Sequence, residues 1–199
     1  MRHSAKIELV VIGGSAGSLE PLLALVALLA DVDVPIVVAI HLGANQRNLL
    51  PEILGSVTRR TVVEAEDKQP IEPDYIYIAP PNYHLLVERT GTLALSVDDA
   101  VKYSRPSIDV LFESAAAAFG SRCIGVLLSG ANDDGAAGLV RIVDAGGEAL
   151  TQDPACAQHP TMPEAGMLRL GARGRAFPIP ALAKALASLA TAPYGEDEP

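Results

Sequence analysis

Ile7 to Ile12 is an apolar run of strand length, broken only by Glu8. It leads into Gly13-Gly14-Ser15-Ala16-Gly17-Ser18 and then into an apolar segment, Leu19 to about Ala30, that suits a helix. Asp31 to Asp33 closes that helix, and Pro35 opens a second apolar run ending at Ile40-His41. Two buried strands joined by a helix of crossover length predict a βαβ unit with parallel strands.

Downstream the period changes twice. Asn48 to Val57 reads as a short helix, Thr61 to Glu64 as a strand, and Tyr75 to Ala79 as a strand stopped by Pro80-Pro81. His84 to Val87 and Leu93 to Val97 flank Arg89-Thr90-Gly91-Thr92 as strands of a meander or hairpin would. Helix and strand then alternate again: Ser107 to Phe119, Cys123 to Leu128, Gly135 to Asp144, Glu148 to Thr151. No element is assigned between Thr151 and Pro178, where His159 lies in a proline-rich stretch. Pro178 to Leu189 is a final helix that tolerates Pro180 in its first turn. The alternation predicts an α/β layer fold. Residues 1–191 are expected to form one domain, and residues 192–199, too poor in apolar surface to fold alone, a disordered tail.

Composition narrows the function classes. The 199 residues are 49% hydrophobic but only 4% aromatic, so the core is aliphatic and wholesale disorder is excluded. A net charge of −9 argues against a nucleic-acid partner and against an anionic membrane surface. No apolar run has the length of a bilayer span, so stable membrane insertion is not expected. Two cysteines, Cys123 and Cys156, are too few for a secreted disulfide scaffold, and no cleavable leader is evident. The expectation is a cytoplasmic protein.

The glycine turn fits G-x-S-x-G, in which a sharp strand-to-helix bend exposes the Ser15 hydroxyl beside unpaired N–H groups able to stabilise an oxyanion. The same turn also reads as simple packing, with Ser15 or Ser18 capping the helix. A phosphate loop fits less well, for want of a lysine after the glycines, and a dinucleotide site lacks its acidic residue after the second strand. His41 stands there instead, at the strand end where open parallel sheets bind ligands, and can act as a general base. Asp134, in Leu127-Leu-Ser-Gly-Ala-Asn-Asp-Asp-Gly-Ala-Ala-Gly138, can orient that imidazole, with Asp133 as the adjacent competitor. Either aspartate also reads as a cap of the following helix. Zinc-ligand spacing is absent among His3, His41, His84 and His159, so no metal is expected; His84 reads as a half-exposed strand residue. The order Ser15, His41, Asp134 differs from that of ordinary α/β hydrolases, which points to convergent serine chemistry.

Taken together, Ile12-Gly-Gly-Ser-Ala-Gly17, Ile40-His41, Ala65-Glu-Asp67, Tyr77-Ile-Ala-Pro80, Arg105-Pro-Ser-Ile-Asp-Val-Leu-Phe112, Leu128 to Gly138 and Met162-Pro163 resemble the catalytic domain of the chemotaxis receptor glutamate methylesterase (CheB) family over roughly residues 7–190. The resemblance implies a three-layer, doubly wound, mostly parallel sheet with helices on both faces and an antiparallel excursion. It implies a serine hydrolase that removes methyl esters from receptor glutamates, with glutamine deamidation in some members, and no cofactor. By similarity Ser15 is the nucleophile, His41 the base and Asp134 the orienting acid. The oxyanion and substrate loops would involve Ala16, Gly17, Arg105, Gly130, Ala131, Asn132 and Met162. The substrate would be a methylated receptor or another signalling protein, and control by a regulatory protein is compatible with it. Classical members carry an N-terminal receiver, for which this sequence leaves no room, so a stand-alone form is expected; oligomeric state is not indicated. A catalytically impaired binding module and a small-molecule carboxylesterase are the competing readings.

Overall fold

The computed structural model describes residues 6–41 and 48–191. In chain order its elements are β1 (Leu9–Gly14), α1 (Leu19–Leu28), β2 (Ile36–Ile40), α2 (Leu50–Gly55), β3 (Thr61–Glu64), β4 (Tyr75–Ile78), β5 (His84–Val87), β6 (Leu93–Ser96), α3 (Ile108–Phe119), β7 (Cys123–Leu127), α4 (Ala136–Asp144), β8 (Glu148–Gln152), α5 (Thr161–Leu170), β9 (Ala176–Phe177) and α6 (Ile179–Thr191). Seven strands form one sheet in the order β3-β4-β2-β1-β7-β8-β9, and every neighbouring pair in it is parallel. The expected antiparallel excursion is a hairpin of β5 with β6, running from His84 opposite Ser96 to Val87 opposite Leu93. The fold is therefore the doubly wound α/β class expected from the sequence. The tail at 192–199 and the N-terminal His3 lie outside the described residues.

The β1 run is buried along its whole length because both faces of the sheet are covered. Val10 and Ile12 pack with Leu22, Leu25 and Val26 of α1 and Leu182 and Leu186 of α6. Leu9 and Val11 belong to the opposite layer, with Leu111, Phe112 and Ala115 of α3, Leu139 and Ile142 of α4, and the hairpin residues Leu85, Val87 and Leu93. Period-2 alternation thus feeds two aliphatic cores rather than one core and a wet face. The chain builds outward from β1 to β2, β4 and β3, then returns to lay β7 against the other side of β1. That reversal makes a crevice at the carboxyl ends of β1, β2 and β7.

Two elements escape the sequence pattern. α5 carries Pro163 near its start and Gly166 inside, residues that argue against a helix. Pro163 sits in the first turn, where its missing N–H costs nothing, and Gly166 lets the helix lie close to Leu127, Leu139 and Thr151. β9, two residues long, gains its pairing only from β8. β1 itself begins at Leu9 rather than Ile7 and runs on through Gly14.

Those last residues of β1 set how near α3 can approach. A Cβ on Gly13 would stand 2.2 Å from Ile108 Cγ2, and one on Gly135 would stand 2.5 Å from the same methyl. Ile108, the first residue of α3, therefore fills space that two glycines vacate. Gly13→Ala is expected to lower unfolding stability by about 1–3 kcal/mol, the usual cost of overpacking a close-packed core. Urea denaturation measures it; an unchanged midpoint would show that α3 can retreat without loss.

Candidate active site

Ser15 follows β1, His41 follows β2, and Asp134 lies in the loop between β7 and α4, so the crevice gathers all three. Asp134 Oδ2 lies 2.9 Å from His41 Nε2, and His41 Nδ1 lies 3.1 Å from Ser15 Oγ. The His41 side chain is 13% exposed and Asp134 is wholly buried.

A buried carboxylate needs its hydrogen bonds supplied by protein. Asp134 Oδ1 accepts from Ser107 Oγ at 3.0 Å, Asp109 N–H at 3.1 Å and Gly135 N–H at 3.1 Å. Its Oδ2 accepts from Ile108 N–H at 2.7 Å as well as from His41. Ile108 and Asp109 open α3, so the carboxylate sits on the positive end of that helix. The competing expectation had an aspartate capping the helix that follows it. Asp134 does take the Gly135 N–H, but it chiefly caps α3, which precedes it in sequence. Burial alone would raise the carboxyl pKa, yet the bonds from His41, Ile108 and Asp109 outweigh it and hold Asp134 below its ordinary value.

An ionised Asp134 can only accept, so the His41 proton resides on Nε2 and the Nδ1 lone pair faces Ser15. The ring is turned over relative to the Ser-His-Asp template in which Nε2 faces the serine. The exchange of roles between the two nitrogens leaves the proton path intact.

The turn at Ser15 keeps its hydroxyl free for this contact. Ser18 occupies the start of α1, but its Oγ donates to Ser15 O at 2.6 Å instead of capping. Gly17 has φ +72°, and a Cβ there would stand 2.8 Å from Gln158 Cβ, so glycine is favoured on both counts. Ser15 N–H donates to Ser129 O at 2.9 Å and Gly130 N–H to His159 O at 3.0 Å. Neither is available to an oxyanion, which corrects the expectation for Gly130. The Ala16 and Gly17 N–H groups have no protein acceptor among the described residues. Asn132 Oδ1 accepts from Asp134 N–H at 3.2 Å and so shapes the loop, and Ala131 is exposed beside it. Met162 is fully buried, packed behind Gly130, to whose carbonyl its N–H donates at 3.0 Å; it shapes that loop from behind.

Arg105 binds neutral oxygens. It donates to Val97 O at 2.7 Å, Asp98 O at 3.0 Å and Asn82 Oδ1 at 2.7 Å, tying two loops together at the site's edge. With His41, Asn82, Asp99, Ala100, Tyr103 and Ser104 it lines a cavity of about 510 Å³. A smaller recess of about 190 Å³ lies on the other side of Ser15 and His41, walled by Leu19, Leu22, Ile40 and Leu50.

Sequence reasoning missed a supporting set. His84 is buried, contrary to its half-exposed assignment: its Nδ1 accepts from Ser107 N–H at 3.1 Å and its Nε2 donates to Asp99 O at 3.1 Å. Lys102 Nζ contacts Asp109 Oδ2 at 3.0 Å and Asp133 Oδ2 at 3.1 Å, so Asp133 is engaged by Lys102 rather than by His41. The strand period at His84 and the Ser-x-x cap signal at Ser107 were visible, but their partners are distant in sequence. No group of three or more potential metal ligands occurs among the described residues, and none of their helices is long and apolar enough to cross a membrane.

Comparison with known proteins agrees with this architecture. The family model for CheB methylesterase matches residues 10–186. A Leptospira interrogans protein named for protein-glutamate methylesterase and protein-glutamine glutaminase activity is 42% identical over 161 residues, 80% of this chain and 83% of its own length. Protein-glutamate methylesterase/protein-glutamine glutaminase 2 of Anaeromyxobacter dehalogenans is 38% identical over 188 residues, 94% of this chain and 54% of that protein. The crystal structure of the Thermotoga maritima CheB methylesterase catalytic domain superposes with a TM-score of 0.86 at 28% identity, covering 93% of this chain and all of that one.

The Asp134 carboxyl is depressed in the folded state, so its stabilisation is present above the unfolded carboxylate pKa of about 4 and is lost as pH falls through the lower folded value. Asp134→Asn is expected to cost about 1–3 kcal/mol at neutral pH, because an amide NH₂ then faces N–H donors. It should also flatten the acid limb of stability against pH. Urea midpoints across the acid range test this; parallel acid limbs in the two proteins would refute the linkage.

Proposed function

The chain belongs to the CheB methylesterase family, and from that premise we propose that Ser15, His41 and Asp134 hydrolyse glutamate methyl esters on a receptor-type signalling protein. The observation that carries this reading is the continuous hydrogen-bonded line from buried Asp134 through His41 to Ser15 Oγ. An impaired binding module has no need of that line, nor of a buried carboxylate satisfied on every side. The working unit is taken as residues 1–191.

In the first half-reaction Nδ1 of His41 takes the Ser15 proton as Oγ bonds to the ester carbonyl carbon. Charge collects on the carbonyl oxygen, for which the Ala16 and Gly17 N–H groups, without a protein acceptor among the described residues, are the donors. The proton on Nδ1 passes to the departing methoxide, so methanol leaves and an acyl-Ser15 remains. Water then gives a proton to Nδ1 and its oxygen to the acyl carbon. Collapse breaks the bond to Ser15 Oγ, returns the proton there, and releases the glutamic acid side chain, which loses its proton to the solvent. Asp134 stays ionised throughout and steadies the imidazolium. The same steps with ammonia leaving would deamidate glutamine, an activity that the names of the Leptospira and Anaeromyxobacter relatives include.

The purified protein is expected to release methanol from a methylated receptor preparation and to be labelled by a serine-directed phosphonate. Ser15→Ala should abolish both while melting at the wild-type temperature. His41→Ala or Asp134→Asn should lower kcat by about 10⁴-fold or more. Labelling of Ser15→Ala, or undiminished turnover in either other variant, would be incompatible with these assignments.

A further inference from the structure

Val101 to Ser104 form a tight turn in which Val101 N–H donates to Ser104 O at 3.2 Å and Ser104 N–H donates to Val101 O at 2.9 Å. Its two central residues, Lys102 and Tyr103, have φ of 49° and 62°, the left-handed region that non-glycine residues seldom enter. Packing of the tyrosine does not explain that conformation, because Tyr103 is fully exposed. The lysine does the fastening: Nζ reaches Asp109 Oδ2 at 3.0 Å, Asp133 Oδ2 at 3.1 Å and Asp133 O at 3.0 Å. Both aspartates adjoin Asp134's environment, since Asp109 donates its N–H to that carboxylate and Asp133 precedes it in the chain. The turn is therefore clamped to the loop that orients His41.

The clamped turn delivers Ser104 Oγ to 3.4 Å from His41 Nδ1, the same nitrogen that lies 3.1 Å from Ser15 Oγ. Ser104 Oγ has no other partner among the described residues. His41 and Ser104 also share the wall of the 510 Å³ cavity, which gives a water room beside them. One lone pair thus faces two hydroxyls, of which the esterase reaction uses one.

We propose that Ser104 positions the hydrolytic water of the second half-reaction. This rests on the serine-esterase reading given above. Once Ser15 Oγ is acylated it has no proton to offer, and the Nδ1 lone pair passes to a water standing within about 2.6–3.2 Å of both Nδ1 and Ser104 Oγ. The water donates one hydrogen to Nδ1 while the Ser104 hydroxyl donates to the water oxygen, aligning its other lone pair on the acyl carbon. In the step itself the water O–H breaks toward Nδ1 and a C–O bond forms; Ser104 keeps its proton. Acylation does not need this arrangement, so the role is confined to deacylation.

Stopped-flow hydrolysis of p-nitrophenyl acetate, with the acetyl-enzyme followed by intact mass, separates the two half-reactions. Ser104→Ala should keep its acylation burst but lose its acetyl group about tenfold more slowly, the scale of one hydrogen bond made in the transition state. Ser104→Thr, which restores a hydroxyl, should recover the deacylation rate. Ser104→Gly removes the same hydroxyl and replaces the alanine variant if that one folds poorly. Equal loss of burst and turnover, unchanged deacylation, or failure of threonine to rescue would each overturn the assignment. Absence of any Ser15-dependent acetylation in the wild type would instead overturn the esterase reading itself.

Discussion

A carboxylate shut away from water has to be satisfied by the protein that encloses it, and the carboxyl edge of this sheet is arranged around that requirement at Asp134. Three backbone N–H groups, the Ser107 hydroxyl and His41 Nε2 converge on its two oxygens. Because those donors together outweigh the penalty of burial, the group is held ionised. An ionised Asp134 then settles which nitrogen of His41 carries hydrogen, and that choice leaves a lone pair facing Ser15. The lone pair that faces Ser15 thus follows from where α3 begins.

The helix can begin there only because its neighbours are small. Ile108 occupies the volume that side chains at Gly13 and Gly135 would need, which brings the first turn of α3 against the loop of Asp134. His84 adds a second fixing point by accepting the Ser107 N–H and holding Asp99 O with its other nitrogen. Lys102 then joins the turn at Ser104 to the same loop through Asp109 and Asp133. Packing and polar satisfaction are thus one problem here: a methyl group in the wrong place at Gly13 would displace hydrogen bonds at Asp134.

The crevice itself belongs to the topology. Open parallel sheets gather loops where the chain reverses its direction of growth, and here that point lies between β2, β1 and β7. The triad-like order Ser15, His41, Asp134 reflects which strands flank that reversal and differs from the order in α/β hydrolases with a nucleophile elbow. The likeness to the CheB methylesterase catalytic domain of Thermotoga maritima extends over 93% of this chain and so concerns the scaffold as a whole.

Much of the scaffold was readable because its cues are local. Apolar runs of strand length at Ile36–Ile40 and Cys123–Leu127, and helical segments at Leu19–Leu28 and Ile108–Phe119, carry their period in neighbouring residues. α5 was hidden because Pro163 and Gly166 weigh against a helix locally, whereas their acceptability depends on helix position and on close contact with β7 and β8. Ser15, His41 and Asp134 stood out as polar groups at strand ends and within recognisable motifs. The motif resemblance also favoured Asp134 over Asp133, but three features were not legible: the orientation of the imidazole, the burial of His84 and the presence of Ser104 beside Nδ1. Residue pattern along the chain determined the strands, the helices and the chemical types available; folding decided which distant groups met, because hydrogen-bond partners for a buried charge are chosen by space and not by sequence separation.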